Sequence, residues 1–244
     1  MDTLLSGDFA KDKELGFQIT PAQEQLFAIY AHELILGNRR ASLTTITDPG
    51  EIRLKHFLDS LTCLWALPPD FPCRRVLDVG SGAGFPGLPL KIYRPEWEVA
   101  LLESTGKKVA FLQHVVERLG LRGVQLLNGR AELLGHDPAH RERYDLVVAR
   151  AVAALAVLAE YCLPFCRVGG LFVAQKKSGI AEEIANAEGA IGALGGVLAR
   201  LVPVSLPGVE PRQLVVVEKV KPTPPRFPRR PGMPAKHPLV SKSR

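Results

Sequence analysis

Cysteines are scarce in this 244-residue chain, and long apolar runs are missing from it. The four cysteines form no C-x-x-C pair and have no nearby histidine, so we expect buried free thiols in a reducing cytoplasm rather than a metal site or a disulfide. No stretch of about 18 apolar residues is present, which excludes a transmembrane helix. The segment Met1-Asp2-Thr3-Leu4-Leu5 lacks the basic region and apolar run of a signal peptide, so we predict a cytoplasmic location without a membrane partner.

Acidic residues are absent from the C-terminal segment. Residues 219–244 contain eight Lys or Arg, no Asp or Glu, and seven of the 20 prolines, whereas the preceding residues carry 23 basic and 25 acidic side chains. A basic, proline-rich strip is expected to form neither a helix nor a central strand. Such a tail either lies extended on a polyanion, with Lys and Arg on its phosphates, or is simply solvated, and charge alone does not separate the two.

The region from Val76 to Gly87 places glycines at alternate positions directly after an apolar run. Its sequence is Val-Leu-Asp-Val-Gly-Ser-Gly-Ala-Gly-Phe-Pro-Gly, and the apolar residues around Asp78 predict a buried parallel strand. A second predicted strand, residues 98–103, ends on Glu103. In a doubly wound sheet, the glycines let the backbone approach a nucleoside, and an acid at the end of the second strand can bind both ribose hydroxyls. This pattern predicts an adenosine-containing cofactor.

The glycine spacing favours S-adenosylmethionine (SAM) over a dinucleotide. A dinucleotide site has the pattern G-x-G-x-x-G, but here Gly84 comes one residue early and Phe85-Pro86 follow it. A wide turn with a bulky neighbour suits a ligand that has no phosphates, and we expect Asp78 to face cationic groups of that ligand. A nicotinamide dehydrogenase, or a glycine turn without any ligand, remains as an alternative.

Helical and strand patterns alternate along most of the chain. Helices are predicted at residues 23–36, 48–57, 59–67, 107–119, 154–166 and 182–198, and strands at 76–79, 98–103, 124–128, 144–150, 171–175, 202–206 and 213–220. This alternation indicates a parallel sheet covered on both faces, closed by an antiparallel hairpin. We predict an N-terminal helical extension (1–70), a cofactor-binding α/β domain (71–220) and a basic, proline-rich tail (221–244).

Several motifs together resemble one family. They are Lys55-His56-Phe57-Leu58-Asp59-Ser60-Leu61, the glycine segment continued to Leu90, Leu102-Glu103-Ser104-x-x-Lys107-Lys108, Arg130-Ala131-Glu132, Ala149-Arg150-Ala151, and the tail from Pro228 to Leu239. The chain thereby resembles the GidB, or RsmG, family of small-subunit ribosomal RNA guanine-N7 methyltransferases. The departures are small, since Glu103 stands where many members have Asp and Ala149 where others have Ser. The resemblance implies a Rossmann-like class I SAM-dependent methyltransferase fold with a seven-stranded, mostly parallel sheet.

The resemblance also implies a cofactor, a partner and a set of site residues. The partner is 16S ribosomal RNA, within the small ribosomal subunit or its assembly intermediate, and no metal is expected. The expected SAM-binding residues are Asp78, Gly80, Gly82, Gly84, Phe85, Glu103, Ser104, Thr105, Ala131, Glu132 and Arg150. We expect Glu103 to bind the ribose and Glu132 to lie near the adenine amino group. Glu132 as a solvated acid and Arg150 as a structural ion pair are the alternatives.

The implied target, guanine N7, has a free lone pair and no proton, so its methylation needs alignment rather than a general base. We expect Arg150 to contact guanine O6 or a phosphate. His56, Asp59 and Ser60 are spaced to share one helix face and form either part of the catalytic site or a buried polar cluster. The expected RNA-binding residues are Lys176, Arg226, Arg229, Arg230 and Lys236.

Other functions are compatible with parts of the pattern. A non-enzymatic RNA-binding or ribosome assembly factor on a methyltransferase fold is the main alternative. Against it, a degenerate site would have lost Gly80, Gly82 or Glu103, and all three are present. A methyltransferase for a small molecule or a protein is a further alternative, which the basic tail disfavours.

Overall fold

The computed structural model of the chain describes residues 15–150 and 153–239. The predictions for residues 1–14 of the helical extension, for Ala151 in the arginine motif and for residues 240–244 of the tail lie outside these ranges. The helical elements are α1 (Pro21–Ala41), α2 (Pro49–Ile52), a π-helical turn (Arg53–Leu58), α3 (Asp59–Leu61), a 3-10 segment (Thr62–Ala66), α4 (Gly87–Tyr93), α5 (Gly106–Arg118), α6 (Ala131–Leu134), α7 (Leu155–Cys162), α8 (Ala181–Ala193) and α9 (Met233–Lys236). The strands are β1 (Arg75–Val79), β2 (Glu98–Glu103), β3 (Val124–Asn128), β4 (Tyr144–Arg150), β5 (Cys166–Lys177), β6 (Gly196–Val204) and β7 (Arg212–Lys219).

The seven strands form one sheet in the order β3-β2-β1-β4-β5-β7-β6. Strands β1 to β5 are parallel, and β7 runs antiparallel to both β5 and β6. Apolar side chains on the two faces pack into separate clusters, one under α1, α4 and α5 and the other under α7 and α8. The predicted α/β architecture is thus confirmed, and it brings the carboxyl ends of β1, β2, β3 and β4 to one edge, where open sheets of this kind bind ligands.

Helix α1 is longer than predicted. Thr20 caps it through a reciprocal capping box with Gln23, and the helix continues past Gly37 and ends at Ala41. A Cβ atom at Gly37 would lie 2.6 Å from the Phe111 ring, so this glycine allows α1 to pack closely on α5 instead of ending the helix. No helix within residues 15–150 and 153–239 is long and apolar enough to cross a membrane.

The two helices predicted over residues 48–67 are one continuous helical segment with a π-helical turn in its middle. The Asp48 carboxylate caps its start by accepting the Glu51 amide at 2.9 Å. Arg53 in the π-helical turn is buried and pairs with Glu24 of α1 at 2.6 Å, which fixes the segment against α1. Such turns insert one extra residue and occur often at functional sites.

Three predicted element boundaries in the C-terminal half are wrong. Helix α7 ends at Cys162, and β5 begins already at Cys166. Helix α8 ends at Ala193, so residues 196–198, predicted as helix, belong to β6. Strand β6 pairs with β7 from Gly196 opposite Lys219 to Val204 opposite Arg212. This pairing outweighs the helical periodicity of residues 196–198.

The tail is not an extended strip. Residues 233–236 form α9, although the proline content predicts no helix, because Pro234 lies in the first turn, where a missing N–H costs nothing. Phe227 is buried, and the Arg141 guanidinium donates to the carbonyls of Phe227 and Thr223 at 2.8 and 2.7 Å. The described part of the tail therefore folds back onto the α/β domain.

Candidate active site

The chain turns sharply after β1 through glycines with positive φ angles, a backbone conformation that favours glycine over other residues. Gly80 has φ 74° and Gly82 has φ 59°. The amides of Gly80 and Ser81 donate to the Leu102 carbonyl at 2.8 and 3.1 Å, which ties the turn to β2. A Cβ atom at Gly82 would find only the Gly80 carbonyl, 3.9 Å away, so this face of the turn is open to a ligand.

Gly84 serves a different purpose from Gly80 and Gly82. A Cβ atom there would lie 2.5 Å from the Tyr30 hydroxyl and 2.6 Å from Leu88, in the protein interior. The Tyr30 hydroxyl donates to the Ala83 carbonyl at 2.5 Å, and the Tyr30 ring stacks on Phe85. Because Gly84 has no side chain, Tyr30 of α1 can pack against the interior side of the glycine turn.

Glu103 ends β2 directly beside the glycine turn. Its carboxylate accepts the Gly82 amide at 3.0 Å and the Thr105 amide at 2.8 Å, and the residue is buried. Two amides leave acceptor positions free on the two oxygens, since a carboxylate has about four. This arrangement fits a pair of ligand hydroxyls. Ser104 and Thr105, which follow, are exposed at the same edge.

Asp78 in β1 is fully buried, and its two oxygens differ. Oδ2 accepts the Gly87 amide at 2.9 Å at the start of α4, whereas Oδ1 is buried without a hydrogen-bond partner in the described chain. Burial raises the pKa of this carboxyl to about 7, against the opposing effects of the Gly87 amide and Arg150. One oxygen is therefore structural, and the other fits a donor group from a ligand.

Arg150, at the end of β4, meets the Lys55–Leu61 motif of the N-terminal extension. Its guanidinium donates to Asp59 Oδ2 at 3.1 Å and lies 4.8 Å over the Phe85 ring. The His56 ring stacks on Phe85 with a centroid distance of 4.5 Å. Four residues predicted from separate motifs thus form one cluster beside the glycine turn.

Asp59 is the buried centre of this cluster. Its Oδ1 lies 3.0 Å from Nε of Arg212, so one carboxylate faces two cations. Gln175 of β5 donates to the Asp59 carbonyl at 2.7 Å. Arg212 and Gln175 were not among the predicted site residues, because their roles follow from the antiparallel pairing of β5 and β7. The only sequence signal was a cation at the start of the last predicted strand.

His56 is held in its neutral form. Burial, together with the nearby Arg150 and Arg212 guanidiniums, lowers its pKa to about 4. Its Nε2 lies 2.8 Å from the Thr44 hydroxyl, and its Nδ1 lies 3.5 Å from the Arg150 guanidinium. Ser60, by contrast, donates its hydroxyl to the His56 carbonyl within its own helical segment, which leaves it facing away from the ring cluster.

The tail reaches the cofactor edge at Glu132. This residue is buried in α6 beside Ala131, and its carboxylate accepts the Gly232 amide at 2.9 Å. Arg130 lies 3.6 Å from the same carboxylate. Glu132 is therefore buried rather than solvated, and it binds the tail through the Gly232 amide.

The predicted RNA-binding cations have different surroundings. Arg229 pairs with the fully buried Glu160, with its Nη2 at 2.7 Å, and Lys176 pairs with Glu183 at 2.6 Å. Arg226 is exposed and lies over the Phe227 ring at 5.1 Å. Arg230 and Lys236 are exposed, and no ion pair involves them in the described part of the tail. RNA binding by these five residues stays a prediction, and two of them, Arg229 and Lys176, already have ion-pair partners within the protein.

The arrangement fits a nucleoside cofactor. An open glycine turn, a carboxylate at the end of β2, an unpartnered buried oxygen of Asp78 and the Arg150 cluster all face the carboxyl edge of the sheet. Within residues 15–150 and 153–239, no three His, Cys, Asp or Glu side chains are grouped as metal ligands.

Comparison with known proteins identifies a close set of relatives. The family model described as GidB, rRNA small subunit methyltransferase G, matches residues 23–209. The chain is 53% identical over 227 residues to a Roseiflexus castenholzii protein named "Ribosomal RNA small subunit methyltransferase G", covering 92% of this chain and 95% of that protein. It is 49% identical to the Moorella thermoacetica protein of the same name, covering 94% and 96%.

Solved structures share the fold at much lower identity. A putative O-methyltransferase from Klebsiella pneumoniae has a TM-score of 0.54 and 14% identity, covering 88% of this chain and 96% of that one. A mutant of MtNAS in complex with S-adenosylmethionine has a TM-score of 0.55 and 17% identity, covering 81% and 73%. These likenesses show that the overall fold is shared.

Proposed function

Because the chain belongs to the GidB family of rRNA small subunit methyltransferases G, we propose that it transfers the methyl group of SAM to N7 of a guanine in 16S ribosomal RNA. The observation that carries this proposal is the identity of 53% to a relative of that name, spread over 92% of the chain. The geometry supports it, since the glycine turn, Glu103 and the Arg150 cluster lie at one sheet edge. We propose that the acceptor is the small subunit or an assembly intermediate.

The cofactor-binding roles follow from the contacts at the glycine turn. Glu103 is fixed by two amides, so its remaining lone pairs are oriented to accept the ribose hydroxyls. The open face at Gly82 lets the ligand approach the protein backbone closely. The unpartnered Oδ1 of Asp78 accepts a donor from the cationic amino acid end. Glu132, oriented by Gly232, lies on the adenine side.

SAM bound at this edge would supply an electrophilic methyl group. As guanine N7 bonded to the methyl carbon, the methyl–sulfur bond would break and S-adenosylhomocysteine would leave, and the base would lose no proton. The protein therefore has to orient the base and exclude water rather than accept a proton. The side chains at the site agree with this need. His56 is neutral and engaged with Thr44, the Tyr30 hydroxyl is engaged with the Ala83 carbonyl, and Ser60 faces its own helix.

Arg150 is the residue we assign to the guanine. Its planar fork of donors matches the acceptors of a guanine edge, and its position over the Phe85 ring, 4.8 Å from the centroid, holds it at the wall of the site. Asp59 is a positioning residue, because it acts through Arg150 and Arg212. An arginine held between a carboxylate and an aromatic ring loses little further freedom when the base binds.

Labelled SAM tests the proposed acceptor. The protein is incubated with methyl-labelled SAM and, separately, with naked 16S rRNA, small subunits, an assembly intermediate and large subunits. We expect the most label in the 16S rRNA of small subunits or of the assembly intermediate, less in naked 16S rRNA, and none in large subunits. Label confined to large subunits, protein or small molecules would contradict the proposal. SAM binding without any transfer would favour an RNA-binding assembly factor.

A further inference from the structure

A cleft separates the C-terminal part of α1 from α5. Its volume is about 740 Å³, within the range of about 300–1,000 Å³ that is typical of ligand pockets. Its floor is apolar and is formed by Leu36, Gly37, Ala110 and Phe111. Leu36 is 42% exposed, so its side chain is accessible from the cleft. Nothing in the cofactor site described above uses this floor.

The rim of the cleft is basic. Arg39, Arg40 and Lys107 are exposed, and no ion pair involves them in the part of the chain that the structure describes. Among the described lining residues, the one acid is Glu33, which is buried and lies 2.8 Å from His114 and 3.0 Å from Arg118. Burial alone would raise the pKa of Glu33, but the hydrogen bonds from His114 and Arg118 outweigh it and lower the pKa. The acid is thus neutralised by its own partners, and the rim keeps its positive charge.

The cleft adjoins the cofactor edge. Lys107 lies in the first turn of α5, four residues after Glu103. Thr105, whose amide donates to Glu103, caps the same helix. A chain lying in the cleft would therefore pass directly beside the edge where we place the methyl donor.

We propose that this cleft binds the RNA substrate beside the target base, with an unstacked neighbouring base on the apolar floor and backbone phosphates at Arg39, Arg40 and Lys107. Cations along a groove with an apolar surface for bases are the arrangement that binds single-stranded nucleic acid. This inference rests on the proposed function and adds a location for the substrate. It shifts the main RNA contact from the C-terminal tail to the N-terminal extension.

The test compares two triple variants of equal charge change. The cleft variant is R39A/R40A/K107A. The control is R74A/R94A/R122A, whose cations precede β1, β2 and β3 and lie at the opposite edge of the sheet. At about 0.15 M salt we expect the cleft variant to bind a 16S rRNA fragment at least about 10-fold more weakly, with a plot of log affinity against log salt that is shallower by about 2. The control should retain the affinity and slope of the parent.

Two further variants separate the contacts. R39K/R40K/K107R keeps the charges and should restore RNA binding. Leu36→Asn should weaken RNA binding and leave the salt slope unchanged, because it removes a base contact but no charge. SAM affinity by calorimetry should be unchanged in all of them, which also shows that they are folded.

The outcomes distinguish this inference from the proposed function. If the parent methylates 16S rRNA and the cleft variant binds and methylates it equally well, the cleft location is wrong and the function stands. Equal losses in the cleft and control variants would also overturn the location, because they would indicate a general charge effect. Displacement of RNA from the parent by polyglutamate as effectively as by RNA would assign the cleft to acidic protein segments instead. A parent that transfers no label would overturn both.

Discussion

Two buried carboxylates at the glycine turn differ because of the atoms around them. Glu103 accepts two amides and ends its strand at the site, whereas Asp78 accepts one amide and keeps one oxygen without a partner. Hydrogen bonds from amides favour the charged form of a carboxyl, and burial favours the neutral form. The sequence predicts a ribose contact for Glu103 and a contact with cationic ligand groups for Asp78, but it predicts no structural role for either acid. Only the position of Gly87 against Asp78 shows that the latter also supports α4.

Glu103→Gln should weaken SAM binding by roughly 10- to 100-fold, because a charge-assisted contact is worth about 1.5–3 kcal/mol. Calorimetry with SAM measures this loss. Glu98→Gln, at the exposed start of the same strand, is the matched control and should bind SAM like the parent. Equal affinities of the Glu103 variant and the parent would remove Glu103 from the ribose site.

Asp59→Asn should destabilise the protein, because it leaves the Arg150 and Arg212 guanidiniums facing each other without the carboxylate. Removing one partner of a buried ion pair costs about 3–5 kcal/mol, and the partial exposure of Arg212 places the expected loss near the lower figure. Chemical denaturation measures it. Asp70→Asn, in an exposed loop, should change stability by less than about 0.5 kcal/mol. If both variants unfold alike, Asp59 is not the anchor of the cluster.

His56 links stability to pH. Its pKa falls from 6.5 in the unfolded chain to about 4 in the fold, so the contribution of the neutral ring is present above about pH 6.5 and is lost as the pH falls towards 4. Asp78, whose pKa is raised to about 7 in the fold, has the opposite effect on stability over much of this window, so the contribution of His56 is measured as the difference between the parent and a variant. As the pH falls from about 6.5 to 4, the parent should lose more unfolding free energy than His56→Asn does, or gain less. Parallel pH curves for the parent and the variant, from denaturation at several pH values, would contradict this.

At the scale of elements, the sequence predicts the regular parts and misses those that depend on distant contacts. The strands β1 to β4 and helix α5 follow from local patterns. The end of α1 does not follow from local patterns, because Gly37 lies inside the helix, where its missing side chain leaves room for the Phe111 ring. The start of β6 does not, because its pairing with β7 decides it. The tail shows the same effect, since Glu160 and Glu132 hold it and both are far away in sequence.

The folded tail changes what its variants should do. Arg229→Ala leaves the fully buried Glu160 carboxylate without its cation and loosens the segment that carries Gly232 to Glu132. We expect faster hydrogen exchange in residues 226–237 and SAM binding weaker by about 10-fold, the effect of one lost charged hydrogen bond. Arg230→Ala, at the next position and exposed, should leave both unchanged. Unchanged exchange and SAM affinity in the Arg229 variant would show that the tail does not support the cofactor site.

At the scale of the whole molecule, the sheet order brings residues from five separate motifs to one edge. The glycine turn, Glu103, Glu132 and Arg150 follow β1 to β4, and the N-terminal extension adds His56 and Asp59. The resemblance of the motifs predicts which residues meet. It does not predict Arg212, Gln175 or the position of the tail, which depend on the packing of the whole chain.

Because methylation of guanine N7 needs no general base, the rate of the chemical step should depend little on pH. The rate of the chemical step at saturating SAM and RNA should be nearly constant between about pH 7 and 9, because guanine N7 carries no proton and His56 is neutral throughout. The KM for SAM should change near pH 7, where Asp78 ionises. Single-turnover rates across this range measure the first effect. A bell-shaped profile would require a proton-transferring residue.

The chemical identity of the labelled nucleoside shows whether this site methylates guanine N7 in 16S rRNA. RNA methylated by the protein with methyl-labelled SAM is digested to nucleosides, which are separated by chromatography. We expect the label to comigrate with 7-methylguanosine and to disappear when the RNA is made with 7-deazaguanosine. Label on an exocyclic amine, on a ribose or on another base would contradict it.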